Sequence, residues 1–363
     1  MSDDTVVVAD APGRINLIGE HTDYHGGYVL PTVIPQRTRA ELRLRSGRSV
    51  RVTSTIDAQG TQTYELGREE RGRGWLDYVQ GLTFVLARSG WTPHAFDLHI
   101  TSNVPVGAGV SSSAALEVSV LRALREALHF QMDDVQLAKV AQQAETHFVG
   151  VPVGIMDQFA ASLGRDGQAL FIDTRTLAFE AVPLPQSMRL LAIDSGVTHA
   201  HAGGGYLTRR RESFEAAARL GVQSLRDLDE TELDRLDALP AVLARRARHV
   251  ITENARVLAA VAALRSAEVG TLGELCNASH ISMRNDYEIS TAEIDRLVEI
   301  ARAHPEVYGA RMTGGGFGGT VIAIATTRAD RRTAEEIAGK YRAETGRVGV
   351  VLEPPEAGTF LGM

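Results

Sequence analysis

Apolar and polar positions along this chain fall into two rhythms. Alternation with a period of two predicts strands at Thr38–Arg45 and Val50–Ser54. Phe96, Leu98 and Ile100 alternate with polar neighbours in a strand that runs into Thr101–Gly109. The short apolar runs Val6–Ala9, Leu170–Asp173, Leu190–Asp194, Ala310–Met312, Thr320–Ala325 and Val348–Leu352 read as further strands. Helical spacing alternates with them. Leu116, Val120, Leu121, Leu124 and Leu128 share one face of a helix expected from about Ser113 to Leu128. Leu137, Val140, Ala141 and Ala144 stand at i, i+3, i+4 and i+7 in a second helix that starts near Asp133 or Asp134. Others are expected over Tyr206–Leu220, Ala241–Ala263 and Ala292–His304, the last with Ser290 and Glu293 as a capping box. Pro183 and Pro185 suggest a joint between two domains, 1–185 and 186–363, with the C-terminal end a candidate to return to the first. Strands and helices mix without a regular βαβ rhythm, so the expected class is α+β. No internal repeat and no low-complexity segment interrupts the pattern.

Composition narrows the function classes. At 363 residues, 44% apolar and 23% charged, the chain reads as an ordinary globular protein of two domains or one large one. A net charge of −7 gives no electrostatic footprint for nucleic acid. The short cluster Arg209-Arg210-Arg211 is followed at once by Glu212 and reads as a solvated helix start. With Cys276 as its single cysteine the chain has no intrachain disulfide and no thiolate metal cluster, which fits a reducing cytosol. The start Met1-Ser2-Asp3-Asp4 lacks the basic end and apolar core of a signal peptide, and no apolar run approaches a membrane span. A cytoplasmic protein is expected.

Three segments concentrate chemistry. The first is Gly13-Arg14-Ile15-Asn16-Leu17-Ile18-Gly19-Glu20-His21-Thr22-Asp23-Tyr24-His25-Gly26-Gly27. Its glycines and unpaired charges make a poor core strand and a poor helix. They suit a hydroxyl-rich ligand: Glu20 and Asp23 accept hydrogen bonds, His21 donates or accepts, and glycine admits close backbone approach. The second, Pro105-Val106-Gly107-Ala108-Gly109-Val110-Ser111-Ser112-Ser113-Ala114-Ala115, lies between a strand and a helix. Hydroxyls, backbone N–H groups and a helix N-terminus form an anion cradle there, without the lysine of a Walker A loop. A serine-rich N-cap with a glycine turn is the alternative. The third, Ala144–Phe159, places Glu145 just off the apolar face of one helix. It places Asp157 in the first turn of the next, where the dipole favours the ionised form, although a lone aspartate there is usually a cap. A glycine cluster, Gly314–Gly319, fits a Rossmann fingerprint badly because a strand follows it. A metal hydrolase is excluded by spacing. His21 and His25 sit in a segment too rich in glycine for a helix, and His199 and His201 have no carboxylate at matching distance.

The first run resembles the signature of galactokinases, members of the GHMP small-molecule kinase superfamily. The serine loop resembles the superfamily's second motif, Pro-x-x-x-Gly-[LV]-Ser-Ser-Ser-Ala, and Gly309–Gly319 its third. Gly154-Ile155-Met156-Asp157-Gln158 resembles the stretch that carries the family's catalytic aspartate. The resemblance covers nearly the whole chain, with the motifs in the family's order. It implies a two-domain fold with the active site in the cleft between domains, and the reaction ATP + D-galactose → ADP + α-D-galactose 1-phosphate, in galactose catabolism. Asp157 is then the base for the C1 hydroxyl. Arg14 holds Asp157 ionised and stabilises charge on the transferring phosphoryl group. Glu20, His21, Thr22, Asp23, Gly154 and Tyr206 are implied at the sugar. Ser54, Trp75, Gly107, Ala108, Gly109, Val110, Ser111, Ser112 and Ser113 are implied at the nucleotide. The hydroxyl of Ser113 and the carboxylate of Glu145 are implied ligands of Mg2+, which keeps several waters and shares phosphate oxygens. Gly309–Gly319 is implied as support for the nucleotide loop and the sugar region. Neither nucleic acid nor membrane is implied as a partner, and no oligomeric state follows.

Two positions depart from the family pattern. Val153 stands where the family often has Cys, and His25 where it usually has Asn. Asn tolerates left-handed backbone more readily than His. With Gly26 and Gly27 to absorb awkward dihedrals, His25 is expected to serve a turn at the rim of the sugar site. Two other readings stay open. One is a GHMP kinase for another sugar, such as N-acetylgalactosamine or arabinose. The other is a galactose- and ATP-binding regulator without kinase activity. Such regulators lose part of the serine-alanine loop, whereas Ser113-Ala114 and Asp157 are intact here.

Overall fold

The alternation of the early strands becomes one buried face. Ala40, Leu42, Val50, Val52, Phe96, Leu98 and Ile100 are all buried, while Arg39, Arg43 and Arg51 point the other way. In this computed structural model, which describes residues 5–55, 60–197 and 202–352, these strands belong to the first of two compact units. That unit holds the chain up to Arg14, Val33–Pro105 and Ser111–Gly164. The second holds Ile15–Thr32, Val106–Val110 and the chain from Arg165 onward. The units thus interleave in sequence, where the expected division is a single cut after 185.

In the first unit the strand Pro31–Leu44, from Val33 on, runs antiparallel to Phe96–Ser102, with Thr38 opposite Ser102 and Leu44 opposite Phe96. Ser49–Ser54 joins the far side of Phe96–Ser102 in parallel, and Gln62–Glu65 follows antiparallel. The helices Leu76–Arg88, Ser112–Ala127 and Asp134–Gln143 cover the apolar face, and Leu82, Leu86, Val118, Leu121, Leu124, Leu137 and Ala141 fill one core. Asp133 caps its helix by accepting from Gln136 N at 2.7 Å. That helix runs on into a π-helical turn, Ala144–Val149, and a further helix follows at Met156–Leu163.

In the second unit Arg189–Asp194 lies between Thr320–Ala325 and Val350–Val351, both antiparallel, and Val307–Met312 pairs with the outer edge of Thr320–Ala325. Tyr28–Val29, Gln168–Asp173 and Ala178–Pro183 form a second antiparallel set. Helices Ala202–Arg219, Ala241–Arg265, Val269–Ser282, Ala292–Arg302 and Arg331–Thr345 belong to this unit. Leu191, Ile193, Val250, Ile294, Leu297, Ile337 and Tyr341 share its core. The class is α+β as expected. Among the described residues no helix is long and apolar enough to cross a membrane.

Three expectations change. The first strand is Val6–Asn16, so the polar run begins as strand rather than loop, with Ala11–Asn16 wholly buried. Most of the buried polar atoms find partners: Arg14 pairs with Asp157, Asn16 N donates to Thr313 Oγ1 at 2.8 Å, and its Oδ1 accepts from Leu30 N at 3.2 Å, while its Nδ2 is buried without a hydrogen bond. The cap of Ala292–Arg302 is Thr291, which accepts from Ile294 N at 3.3 Å. Ser290 instead donates to Asp295 Oδ1 at 2.6 Å, and Glu293 pairs with Arg347 at 3.0 Å. Leu76–Arg88, Val269–Ser282 and Arg331–Thr345 are helices that the apolar pattern does not predict. The first buries Gln80 and Thr83 along with its apolar residues. The second carries Gly273 at its packing surface, where a Cβ would come within 2.6 Å of Tyr308 Cβ.

Candidate active site

Asp157 occupies the first turn of Met156–Leu163. Arg14 grips it as a fork, Nε donating to Oδ1 and Nη2 to Oδ2, each at 2.8 Å. Ser111 Oγ donates to Oδ2 at 2.5 Å. An ionised carboxylate offers about four acceptor sites. Three are filled by these donors, and the side chain is 27% exposed, so one acceptor site stays open. Ser111 reaches Asp157 from a left-handed backbone, φ +61 and ψ 47, which costs an ordinary residue roughly 1–2 kcal/mol. It precedes the helix Ser112–Ala127, yet no side chain caps that helix. The alternative reading of a serine-rich N-cap therefore fails. Ser111 gives its hydroxyl to Asp157 and makes no side-chain bond to the first-turn N–H groups.

Beside this pair lies a buried carboxylate cluster. Ser113 hydrogen-bonds Glu145, and Gln158 Nε2 donates to Glu145 Oε2 at 2.8 Å and to Glu117 Oε2 at 3.2 Å. Burial, reinforced by the charge of Asp157, pushes the Glu145 carboxyl up to about 7. Burial and then Glu145 push Glu117 well above the carboxylate range. Glu117 and Gln158 carry no role in the sequence reading. The signal for Glu117 is its place at i−4 and i−7 from Leu121 and Leu124, a charge on an apolar helix face. Among the described residues no group of three or more His, Cys, Asp or Glu side chains is arranged to hold a metal. A hydroxyl and one carboxylate, with the remaining positions left to water and phosphate, nevertheless match the hard, sparse donor set of Mg2+.

The residues expected at the sugar belong to the second unit, apart from Gly154, which is half-buried in the loop before Asp157. Glu20 is buried and paired with Arg311. It also accepts from Thr313 Oγ1 at 3.2 Å and Gly314 N at 3.0 Å. Burial is the larger influence on this carboxyl and raises it, with Arg311 pulling the other way. His21 has a left-handed backbone, φ +61. The carbonyl of Gly315 can only accept, so His21 Nε2 is the protonated nitrogen, at 3.1 Å. Nδ1 then accepts from Tyr24 OH at 2.8 Å, and Tyr24 contacts Tyr287 OH at 2.7 Å. Burial lowers His21 to about 3, so it is neutral. Tyr206 comes to the same place, its ring centroid 5.2 Å from that of His21. Thr22 Oγ1 bonds the carbonyls of Gly19 and Tyr28 at 2.9 and 2.7 Å, and Asp23 is half-buried at the turn that follows. Arg311, Tyr287 and Glu253, which accepts from Gly19 N at 3.0 Å, are supports with no assigned role in the sequence reading.

His25 is not at a rim. It is 2% exposed, packs on Phe214 at 4.5 Å between ring centroids, and donates from Nε2 to Ser213 Oγ at 2.8 Å. The left-handed residue of the turn is Gly26, φ +64. Burial lowers His25 to about 3. The loop Gly107–Val110 rests on the glycine cluster. Thr320 Oγ1 donates to Ala108 O at 2.8 Å, and a Cβ on Gly314 would come within 2.8 Å of Gly109 O. Ser54 ends its strand, and Trp75 stands at the N-cap of Leu76–Arg88 against the first core. Ser112 and Ser113 open their helix, half-buried. His199 and His201 lie outside the described residues.

The model of the galactokinase galactose-binding signature matches residues 2–44, that of the GHMP kinase N-terminal domain residues 77–165, and that of the GHMP kinase C-terminal domain residues 260–346. A galactokinase of Roseiflexus sp. is 40% identical over 95% of this chain and 90% of its own length. One from Chloroflexus aurantiacus is 43% identical over 94% and 89%. The crystal structure of Lactococcus lactis galactokinase complexed with galactose superposes with a TM-score of 0.92 at 34% identity, covering 96% of this chain and 93% of that one. Methanococcus jannaschii mevalonate kinase, at a TM-score of 0.69 and 16% identity, shares the fold. The chain belongs to the galactokinase family of the GHMP kinases.

Proposed function

We infer that this chain transfers the γ-phosphoryl group of ATP to the C1 hydroxyl of D-galactose, giving α-D-galactose 1-phosphate and ADP in galactose catabolism. The observation that carries the reading is Asp157, held by Arg14 and by a strained Ser111 that forgoes capping the phosphate-loop helix. Asp157 takes the C1 hydroxyl proton on its open side. The O1–Pγ bond forms as the bond from Pγ to the β-phosphate oxygen breaks. Arg14 stabilises charge on the transferring group, while the N–H groups of Gly107–Ser113 receive the phosphates. Phosphoryl transfer depends chiefly on such positioning and electrostatics. Ser113 and Glu145 would hold a magnesium ion, which supplies neutralising charge at the phosphate oxygens. Ser54 and Trp75 serve the nucleotide. Asp23, and Glu20 through the acceptor capacity left beside Arg311, Thr313 and Gly314, accept sugar hydroxyls. His21 and Tyr206 form a wall for the sugar, supported by Thr22 and Gly154. We take 1–185 and 186–363 as the N- and C-terminal kinase domains, a division that the family matches at 77–165 and 260–346 support. The single, buried Cys276 supports a cytoplasmic location.

The test is ADP release from ATP-Mg with a panel of galactose, glucose, N-acetylgalactosamine and arabinose. Galactose should be strongly preferred to its C4 epimer glucose, because a site built for each hydroxyl leaves groups unpaired with the wrong sugar. Turnover of another sugar in preference to galactose overturns the substrate. Binding of galactose and ATP without ADP release overturns the kinase and leaves the regulator.

A further inference from the structure

Ser113 and Glu117 are one helical turn apart on Ser112–Ala127, so the hydroxyl and the buried carboxyl share a face. Glu145 sits in a π-helical turn whose backbone closes by Gly150 N donating to Glu145 O at 2.9 Å, an arrangement recurrent at functional sites. Its side chain is aimed by what it touches, and Gln158, next in sequence to Asp157, is one of those contacts. The Gln158 amide has two N–H bonds. One goes to Glu145 at 2.8 Å and the other to Glu117 at 3.2 Å. Turned the other way, the amide would set its oxygen against the Glu145 oxygen to which it now donates. Glu117 hydrogen-bonds Glu145 directly and also takes the second amide N–H, so it helps fix which way the amide points, and the amide holds the other side of Glu145.

We propose that Glu117 is a positioning residue which, through the Gln158 amide, holds Glu145 in place for a divalent cation. The inference rests on the reading of Ser113 and Glu145 as magnesium ligands. Without Glu117 the second N–H of Gln158 is buried and unpaired, the amide turns to find a partner, and Glu145 is released. Outer partners of metal ligands typically affect metal affinity by 10–100-fold when removed.

The test measures Mn2+ binding to the whole chain with ADP present, by electron paramagnetic resonance or calorimetry, beside galactose binding to the same samples. Glu117→Ala and Gln158→Met should each weaken Mn2+ by about 10–100-fold. Glu117→Gln, which can still accept from Gln158, should stay within about threefold of the parent. Galactose affinity should hold throughout. Mn2+ affinity near the parent value in Glu117→Ala or Gln158→Met, with Glu145→Ala strongly weakened, overturns the relay and leaves the ligand assignment standing. Equal loss in Glu117→Gln and Glu117→Ala also overturns it, since acceptance of the Gln158 N–H would then not be what holds Glu145. Mn2+ binding unchanged in Glu145→Ala removes the ligand assignment, and the relay with it.

Discussion

Asp157→Asn should remove turnover while galactose still binds. The native carboxylate accepts two bonds from Arg14 and one from Ser111. Asparagine keeps one oxygen and puts an NH2 where the other stood. If the NH2 replaces Oδ2, it faces Arg14 Nη2 and Ser111 Oγ. The serine can turn and accept, but the guanidinium cannot. One donor is left unpaired, which costs about 1–3 kcal/mol in a partly buried site. The larger effect is on the barrier. Loss of a general base typically costs about 10²–10⁴ in rate, or roughly 2.7–5.5 kcal/mol at about 1.36 kcal/mol per decade. The expectation is a fall in kcat of that size, galactose affinity within about threefold, and a modest drop in Tm. Coupled ADP release gives kcat, calorimetry gives the sugar affinity, and thermal unfolding checks the fold. Near-normal kcat would refute the base assignment. A galactose affinity falling as steeply as kcat would show instead that Asp157 mainly binds the sugar.

Glu145→Ala should move the titration of activity against free magnesium to higher concentration and to a lower plateau. An unchanged curve would return Glu145 to a purely structural place. Ser111→Ala and Ser111→Gly should lose similar turnover, since both remove the bond to Asp157. The glycine variant should be the more stable by about 1 kcal/mol, because it escapes the left-handed strain. Equal stabilities would count against strain at Ser111. His25→Asn should cost about 1–3 kcal/mol at neutral pH, as a buried ring leaves its contact with Phe214. His25 is depressed to about 3 in the folded chain against 6.5 unfolded. The unfolded chain therefore binds the extra proton, and the stability His25 supplies above pH 6.5 is lost as pH falls towards 3. Unfolding measured across that window should decline less steeply in the variant, and a steeper decline would refute the burial.

What the sequence makes legible is chemistry that needs particular residue types in one local run. Asp157, Arg14 and the serine loop stand out because such residues are costly to place in a core without a task. Strands such as Thr320–Ala325 are legible because alternation or a short apolar run leaves few other structures. What stays hidden depends on distant partners. Glu20 reads as a free acceptor until Arg311, from the far end of the chain, is found on it. His25 reads as a turn residue because its neighbours are glycines, yet its ring is claimed by Ser213 and Phe214, nearly two hundred residues away. The helix Val269–Ser282 is obscured by Gly273, a poor helix former kept there by the close approach of Tyr308.

Backbone strain ties these observations together. His21, Ser111 and Phe317 are non-glycine residues with φ of 61°, 61° and 63°, one in each of the three family motifs. A left-handed conformation in an ordinary residue persists only when its surroundings compel it. At His21 two ring hydrogen bonds do so, to Tyr24 and Gly315. At Ser111 the bond to Asp157 does so, and at Phe317 the N–H bond to Ile289 O at 2.7 Å. Glycine in these places would relieve the backbone but lose the side-chain contacts that His21 and Ser111 make. The strain at those two positions is thus the cost of aiming a side chain from a left-handed backbone. A loop that needed only to bind an anion could use glycine throughout. One that must also hold its neighbour's carboxylate cannot, and Ser111, left-handed at the start of its helix and bonded to Asp157, is where that requirement falls.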